Sequence, residues 1–218
     1  MTLYVINPNS TESVTDGIAD VLQPFRSWGH PIQCLTIQEG PPGIETQAHI
    51  DAVIEPTINL ALSLPDATGI VIACFSDPGV VELRNRTALP VFGIREAAIA
   101  SALTLGETFG IIAIRDISIP RHLAAVDHMG LTSRLAGDRA LELGVTELDD
   151  EDLTRDRLLE TARQLRDLDG AKVLILGCAG MARYRETVEH EIGLPTIDPC
   201  QAAVALALSR ITVTSTTR

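Results

Sequence analysis

Gly69-Ile70-Val71-Ile72-Ala73-Cys74, followed at once by Phe75-Ser76-Asp77-Pro78-Gly79, sets the fold class of this chain. The first six residues are apolar on both faces, the pattern of a strand buried within a parallel sheet. The turn formers that follow place Cys74 where a strand stops and a helix begins. The pattern returns roughly one small domain later as Lys172-Val173-Leu174-Ile175-Leu176-Gly177-Cys178, then Ala179-Gly180-Met181.

Around these two strands, short β-branched runs alternate with helical stretches. Residues 3–6 read as a strand that ends at Asn7-Pro8-Asn9-Ser10, where Ser10 or Thr11 can cap a helix reaching about Ser27. Strands are expected at 31–37, 69–74, 90–94, 109–114 and 172–176. Helices are expected at 47–64, just after Pro78, and at 96–105, 118–129, 152–168, 181–191 and 199–210. Pro56 lies inside the second helix and is a candidate kink. Residues 131–150 fit least well and read as irregular, with room for one short strand. The alternation implies βαβ units and an α/β fold with parallel sheets. The repeated strand-Cys-turn implies two similar α/β halves, each presenting one thiol at a strand's carboxyl end, with the active site in the cleft between them. The expected division puts 1–94 plus 196–218, with Cys74, in one half, and 95–195, with Cys178, in the other.

Composition narrows the function classes. The chain has 218 residues, 45% of them hydrophobic and only 3% aromatic, so its core is aliphatic. Seventeen Lys and Arg against 29 Asp and Glu give a net charge of −12, which argues against nucleic acid and anionic membrane as partners. The longest apolar runs fall short of the about 20 residues that span a bilayer. No basic flank precedes an apolar run at the start, so a cytoplasmic setting with free thiols is expected. Cys34, Cys74, Cys178 and Cys200 form no CxxC and no His-Cys cluster, so neither a zinc site nor a dithiol motif is expected. Residues 201–208 form an aliphatic helix that could face a second copy in a homo-oligomer or close the core. The expected partner is a small-molecule substrate.

Cys74 and Cys178 carry the chemistry. A free cysteine alone is usually a small buried hydrophobe. A pair at equivalent strand ends suits a reaction that needs a proton acceptor and a proton donor on opposite faces of one carbon. A helix start beside each thiol is expected to lower its pKa, with the backbone N–H groups of Ser76 and Asp77 completing an anion-accepting turn. Ala179 and Gly180 follow Cys178 in the same way, and the flanking glycines allow close backbone approach to a ligand. Asn9 lies in the turn after the first strand, at the same sheet edge.

Four segments together resemble a known family: Ile6-Asn7-Pro8-Asn9-Ser10-Thr11; Ala73-Cys74-Phe75 with Asp77-Pro78-Gly79; Pro90-Val91-Phe92-Gly93-Ile94 with Glu96-Ala97-Ala98; and Leu176-Gly177-Cys178-Ala179-Gly180-Met181-Ala182. In this order and spacing the chain is similar to the hydantoin-racemase branch of the aspartate/glutamate racemase superfamily, which includes allantoin racemases. The resemblance runs from Leu3 to about the helix after Pro199. It implies two pseudosymmetric α/β domains and a cofactor-independent racemase, with Cys74 and Cys178 as its catalytic pair and Asn9 on the substrate. The substrate class it implies is a 5-substituted hydantoin or an allantoin-like cyclic ureide.

The chain departs from that pattern in two places. Gly93-Ile94-Arg95-Glu96 replaces Gly-Ile-Gly-Glu, and Ala113-Ile114 followed by Arg115-Asp116 replaces a Thr-Thr pair. Arg95 and Arg115 either meet a free carboxylate, as in an amino-acid racemase, or sit in solvent paired with Glu96 and Asp116. A decarboxylase of the superfamily uses one catalytic cysteine, whereas both positions are filled here. A bilobal binding protein would leave the paired thiols without a purpose. Cys34 reads as packing, Cys200 as non-catalytic, and the run 147–156 as a solvated acidic face. His122, His128 and His190 are expected on polar helix faces, and His30 and His49 at loop or helix ends.

Overall fold

The computed structural model describes residues 1–215. The chain alternates strand and helix from end to end. The first half contains β1 (Thr2–Asn7), α1 (Glu12–Val21), β2 (Ile32–Thr36), α2 (Gln47–Leu62), β3 (Ala67–Ile72), α3 (Val80–Arg84), β4 (Val91–Gly93) and α4 (Ile94–Ala102). The second contains β5 (Phe109–Ala113), α5 (Ile119–His128), β6 (Leu135–Ala140), α6 (Glu151–Asp167), β7 (Val173–Leu176), α7 (Arg185–Ile192) and β8 (Thr196–Ile197), and α8 (Pro199–Ser215) follows it. Each half forms a four-stranded parallel sheet, in the orders β2-β1-β3-β4 and β6-β5-β7-β8. The two orders are the same path walked twice.

Register makes the equivalence residue by residue. Ile6 pairs with Ile72 between β1 and β3, as Ile112 pairs with Leu176 between β5 and β7. Cys74 and Cys178 each lie two residues past the second member of these pairs. The central strands are apolar on both faces and fully buried, as the unbroken Ile-Val-Ile and Val-Leu-Ile-Leu runs require.

Several element ends differ from the sequence expectation. The first α-helix stops at Val21, because Pro24 lacks an N–H and crowds the carbonyl four residues back; Gln23–Trp28 continue as a 3-10 helix ending at Gly29. The helix α2 runs through Pro56 without ending there. β6 lies within the stretch read as irregular. It pairs only with β5, so as an edge strand it can carry the Gly, Asp and Arg of its Leu-Ala-Gly-Asp-Arg-Ala sequence. β8 pairs with β7, so the chain stays in the second sheet through Ile197, two residues past the expected boundary at 195.

After β8 the chain returns to the first sheet. α8 packs against α4, its topological counterpart, and against β3 and β4. Cys200, Ala203, Val204, Ala207, Leu208 and Ile211 form its buried stripe within the largest apolar cluster, which also holds Leu3, Val71, Ile112 and Leu174. This helix closes the core. Among the described residues no helix is long and apolar enough to cross a membrane.

Candidate active site

Both cysteines open onto one cavity at the carboxyl ends of the two sheets, with Asn9, Ser76, Ala179 and Gly180 in the same wall. The strand ends are built alike: the Ala73 N–H donates to the Ile6 carbonyl and the Gly177 N–H to the Ile112 carbonyl, each at 2.8 Å. Residue 177 is glycine for that reason, since a Cβ there would lie 2.5 Å from the Ile112 carbonyl oxygen. The close approach it permits is to a neighbouring strand, and Gly177 also lines the cavity.

The turn N–H groups differ in what they serve. The Ser76 N–H reaches the Cys74 sulfur, and the Gly180 N–H reaches that of Cys178. The Asp77 N–H, expected in the same anion-accepting turn, instead donates to the Cys74 carbonyl at 2.9 Å. The expected lowering of the thiol pKa by a helix end also gives way. The helix α3 starts only at Val80 and has five residues, and a 3-10 helix follows Cys178. Burial therefore dominates, pushing Cys74 up to about 11 against the pull of the Ser76 N–H and hydroxyl and of Arg95, and Cys178 up to about 12 against that of the Gly180 N–H.

Asp77 and Arg95 support the Cys74 turn from behind and do not line the cavity. Asp77, at φ +50°, turns its carboxylate to the start of α4 and accepts from the Arg95 N–H at 3.0 Å and the Glu96 N–H at 3.1 Å. Gly93 makes room for it, since a Cβ there would fall 2.3 Å from the Asp77 carboxyl carbon. Burial raises the Asp77 pKa to about 6 despite Arg95. The Arg95 guanidinium donates to the Ser76 carbonyl at 3.1 Å and stands 3.6 Å from Asp77. Glu96, the partner expected for Arg95, pairs with Arg84.

Arg115 also lies outside the cavity wall. Its guanidinium contacts Glu45 at 3.5 Å and Glu147 at 3.3 Å, and neither is its expected neighbour Asp116. Glu45 accepts from the Val145 N–H at 3.0 Å, and Arg121 donates to the Glu45 carbonyl at 2.9 Å. These bonds fasten a loop of the first half to a loop and a helix of the second beside the cavity. Asn9 holds its carbonyl oxygen with the Asn7 amide at 3.0 Å and the Thr11 N–H at 2.9 Å.

His122, like Ser118, is a wall residue that sequence reasoning missed. It is 3% exposed rather than on a polar face, and its Nδ1 lies 2.8 Å from an oxygen of buried Asp138. The ring meets Phe75 edge-on at 5.1 Å. The spacing of Ser118, His122 and Val126, all buried, was the available signal. Among the described residues no group of three or more His, Cys, Asp or Glu is placed to hold a metal ion.

The family model for Asp/Glu/hydantoin racemases matches residues 3–207. The chain belongs to that family. Hydantoin racemase from Paenarthrobacter aurescens is 34% identical over 97% of this chain and 91% of its own length. Among solved structures, allantoin racemase from Klebsiella pneumoniae superposes with a TM-score of 0.92 at 27% identity, covering 98% of this chain and 89% of that one. Allantoin racemase from Pseudomonas fluorescens gives 0.90 at 26% identity, covering 98% and 92%. These relatives place the chain in the hydantoin-racemase branch, and the enzyme is an isomerase.

Proposed function

We propose that this enzyme racemises cyclic ureides, 5-substituted hydantoins or allantoin-like rings, by moving one proton between Cys74 and Cys178 across a stereogenic carbon. The observation that carries the reading is the pair of thiols at equivalent strand ends on a single cavity. One sulfur, as thiolate, takes the proton from the carbon between a carbonyl and a nitrogen; the other, as thiol, returns a proton to the opposite face. Carbanion charge delocalises onto the carbonyl oxygen, where backbone N–H groups and the Asn9 amide can stabilise it. Ser76, Ala179 and Gly180 are the substrate-binding positions of the two turns. A thiol held near 11 or 12 is seldom ionised at neutral pH, yet its thiolate is the stronger base against a weak carbon acid.

An amino-acid racemase would need a cation for a free carboxylate. Among the described residues no Arg or Lys is in the cavity wall, and Arg95 and Arg115 are held by carboxylates outside it. That favours a neutral ring. The test is loss of optical rotation across a panel of hydantoins, allantoin and free amino acids. Loss on the rings alone is expected; loss on amino acids alone would overturn the substrate class. Dialysis against EDTA is expected to leave the rate unchanged, and activity that disappears and returns with a metal would overturn the cofactor-independent mechanism.

A further inference from the structure

The cavity wall holds a polar pair that the two-thiol reaction does not use. His122 projects from α5 into the wall, while its partner Asp138, on β6, is not in the wall. The imidazole therefore stands between the carboxylate and the cavity. Burying such a pair among aliphatic side chains is costly compared with an apolar pair of similar volume. In the neutral ring, Asp138 claims the Nδ1 proton and leaves Nε2 as a bare acceptor. Among the described residues Nε2 has no hydrogen bond to protein.

The rest of the polar wall is rich in donors. The carbonyl oxygen of Asn9 is already occupied twice, so its amide offers N–H groups. The Ser118 hydroxyl accepts from Arg121 at 3.3 Å, which frees its own proton for donation. The N–H groups of Ser76 and Gly180 are turned to the cysteine sulfurs. A ligand's carbonyls have the Asn9 amide and the Ser118 hydroxyl here, whereas a ligand's N–H has the His122 nitrogen.

We propose that His122 is a specificity-determining residue whose Nε2 accepts a ring N–H of a planar, neutral ureide or imide, with Asp138 fixing its tautomer. This rests on the racemase reading of the site and adds which face of the ring's hydrogen-bonding pattern is read.

The kinetic test compares a 5-substituted hydantoin with its two ring N-methyl derivatives on wild type, His122→Phe and His122→Gln. Wild type should lose about tenfold or more in kcat/KM on one N-methyl compound. His122→Phe should lower the parent compound by a similar factor and leave that N-methyl compound within about threefold, so the discrimination collapses. His122→Gln, which keeps an acceptor, should restore part of it. A uniform loss on all three compounds would assign His122 a packing role and overturn the proposal. Because His122→Phe strands a buried carboxylate, His122→Phe with Asp138→Leu is the companion variant.

A second readout needs no turnover. In 15N spectra of histidine-labelled wild type, the His122 Nε2 signal should be that of a bare nitrogen. It should move on adding 5,5-dimethylhydantoin, which has no C5 proton to abstract, and stay still with the doubly N-methylated ring. A protonated Nε2, or one that the N–H ring does not move, overturns the proposal. Should wild type racemise no hydantoin while Nε2 still responds to the N–H ring, the racemase reading of the substrate falls and the recognition stands.

Discussion

The two halves share one topology, yet their cysteines have different charged neighbours. Cys74 lies within the field of Arg95, which favours its thiolate, and Arg121 in turn senses Cys74. Cys178 has Glu45 and Cys74 for electrostatic neighbours, and both push its pKa further up. Asp77 opposes Arg95 and outweighs it, while the Ser76 N–H and hydroxyl pull the other way, and Cys74 stands near 11 against about 12 for Cys178. A repeated fold thus repeats the position of the thiol and leaves its acidity to the loops. If this contrast divides the roles in the proposed reaction, Cys74 is the thiolate and Cys178 the thiol in the commoner proton arrangement, which the variants below test.

The hardest blow to this comparison comes from removing either sulfur. Cys74→Ala and Cys178→Ala should each lower racemisation by more than about 10³-fold, because every turnover needs both. Cys34→Ala and Cys200→Ala should leave the chemistry intact, since neither residue is in the cavity wall. Serine variants sharpen the asymmetry: Cys178→Ser keeps the more ionisable sulfur and should exchange the substrate proton for deuterium from one enantiomer faster than Cys74→Ser does from the other. Equal exchange rates would mean that the loop charges do not divide the roles.

The pH profile tests the same contrast at a smaller scale. With both thiols far above neutrality, the thiolate fraction of Cys74 rises about tenfold per pH unit, and kcat/KM should follow between pH 7 and 9. A flat profile across that range would show that the reactive thiol titrates well below 11.

Next come the caps of α4 and α8, the paired counterpart helices. α4 borrows Asp77 from the loop after β3, whereas α8 is capped by its own Asp198, whose Oδ1 accepts from the Gln201 N–H at 2.6 Å. Burial raises both carboxyls to about 6. The native state therefore binds more protons than the unfolded state between the unfolded pKa near 4 and the native value near 6, so each group lowers stability as pH rises through that window. Relative to Asp77→Asn or Asp198→Asn, wild type should lose up to about 3 kcal/mol between pH 4 and 7, read by denaturant melts at each pH. If only one of the two variants removes the slope, the two caps are not electrostatic equivalents.

The parts of this molecule that were legible in the sequence are those fixed by local pattern. Gly69-Ile70-Val71-Ile72 and Val173-Leu174-Ile175-Leu176 could only be buried strands, and their cysteines could only fall at the sheet edge. What escaped depended on distant partners. β6 is held by one neighbour, so its Gly-Asp-Arg interior left room for a short strand within 131–150 without placing it. His122 was drawn inside by Asp138, sixteen residues away on that unplaced strand. The thiol acidities went the other way from expectation because helix starts can be guessed from turn residues, while the enclosure of a cavity by both halves cannot.

Arg115 is where the comparison of halves makes its smallest and last claim. Register equates Ile112 with Ile6, and counting three residues on sets Arg115 against Asn9. Asn9 lies in the cavity wall; Arg115 does not, and its side chain is 43% exposed, with the guanidinium between Glu45 and Glu147. An ion pair this open contributes about 0–1 kcal/mol. Arg115→Ala should therefore change kcat/KM by less than about threefold on a neutral hydantoin and on one bearing a carboxylate, with a shift in Tm of a few degrees at most. A loss of about tenfold or more confined to the anionic substrate would mean that Arg115 leaves its glutamates to meet a carboxylate, as Asn9's counterpart in fact as well as in register. A similar loss on the neutral ring would instead place the guanidinium on the developing enolate. Unchanged rates on both leave the second half's strand end without a side-chain contribution at this position, and the substrate is then held there by backbone alone.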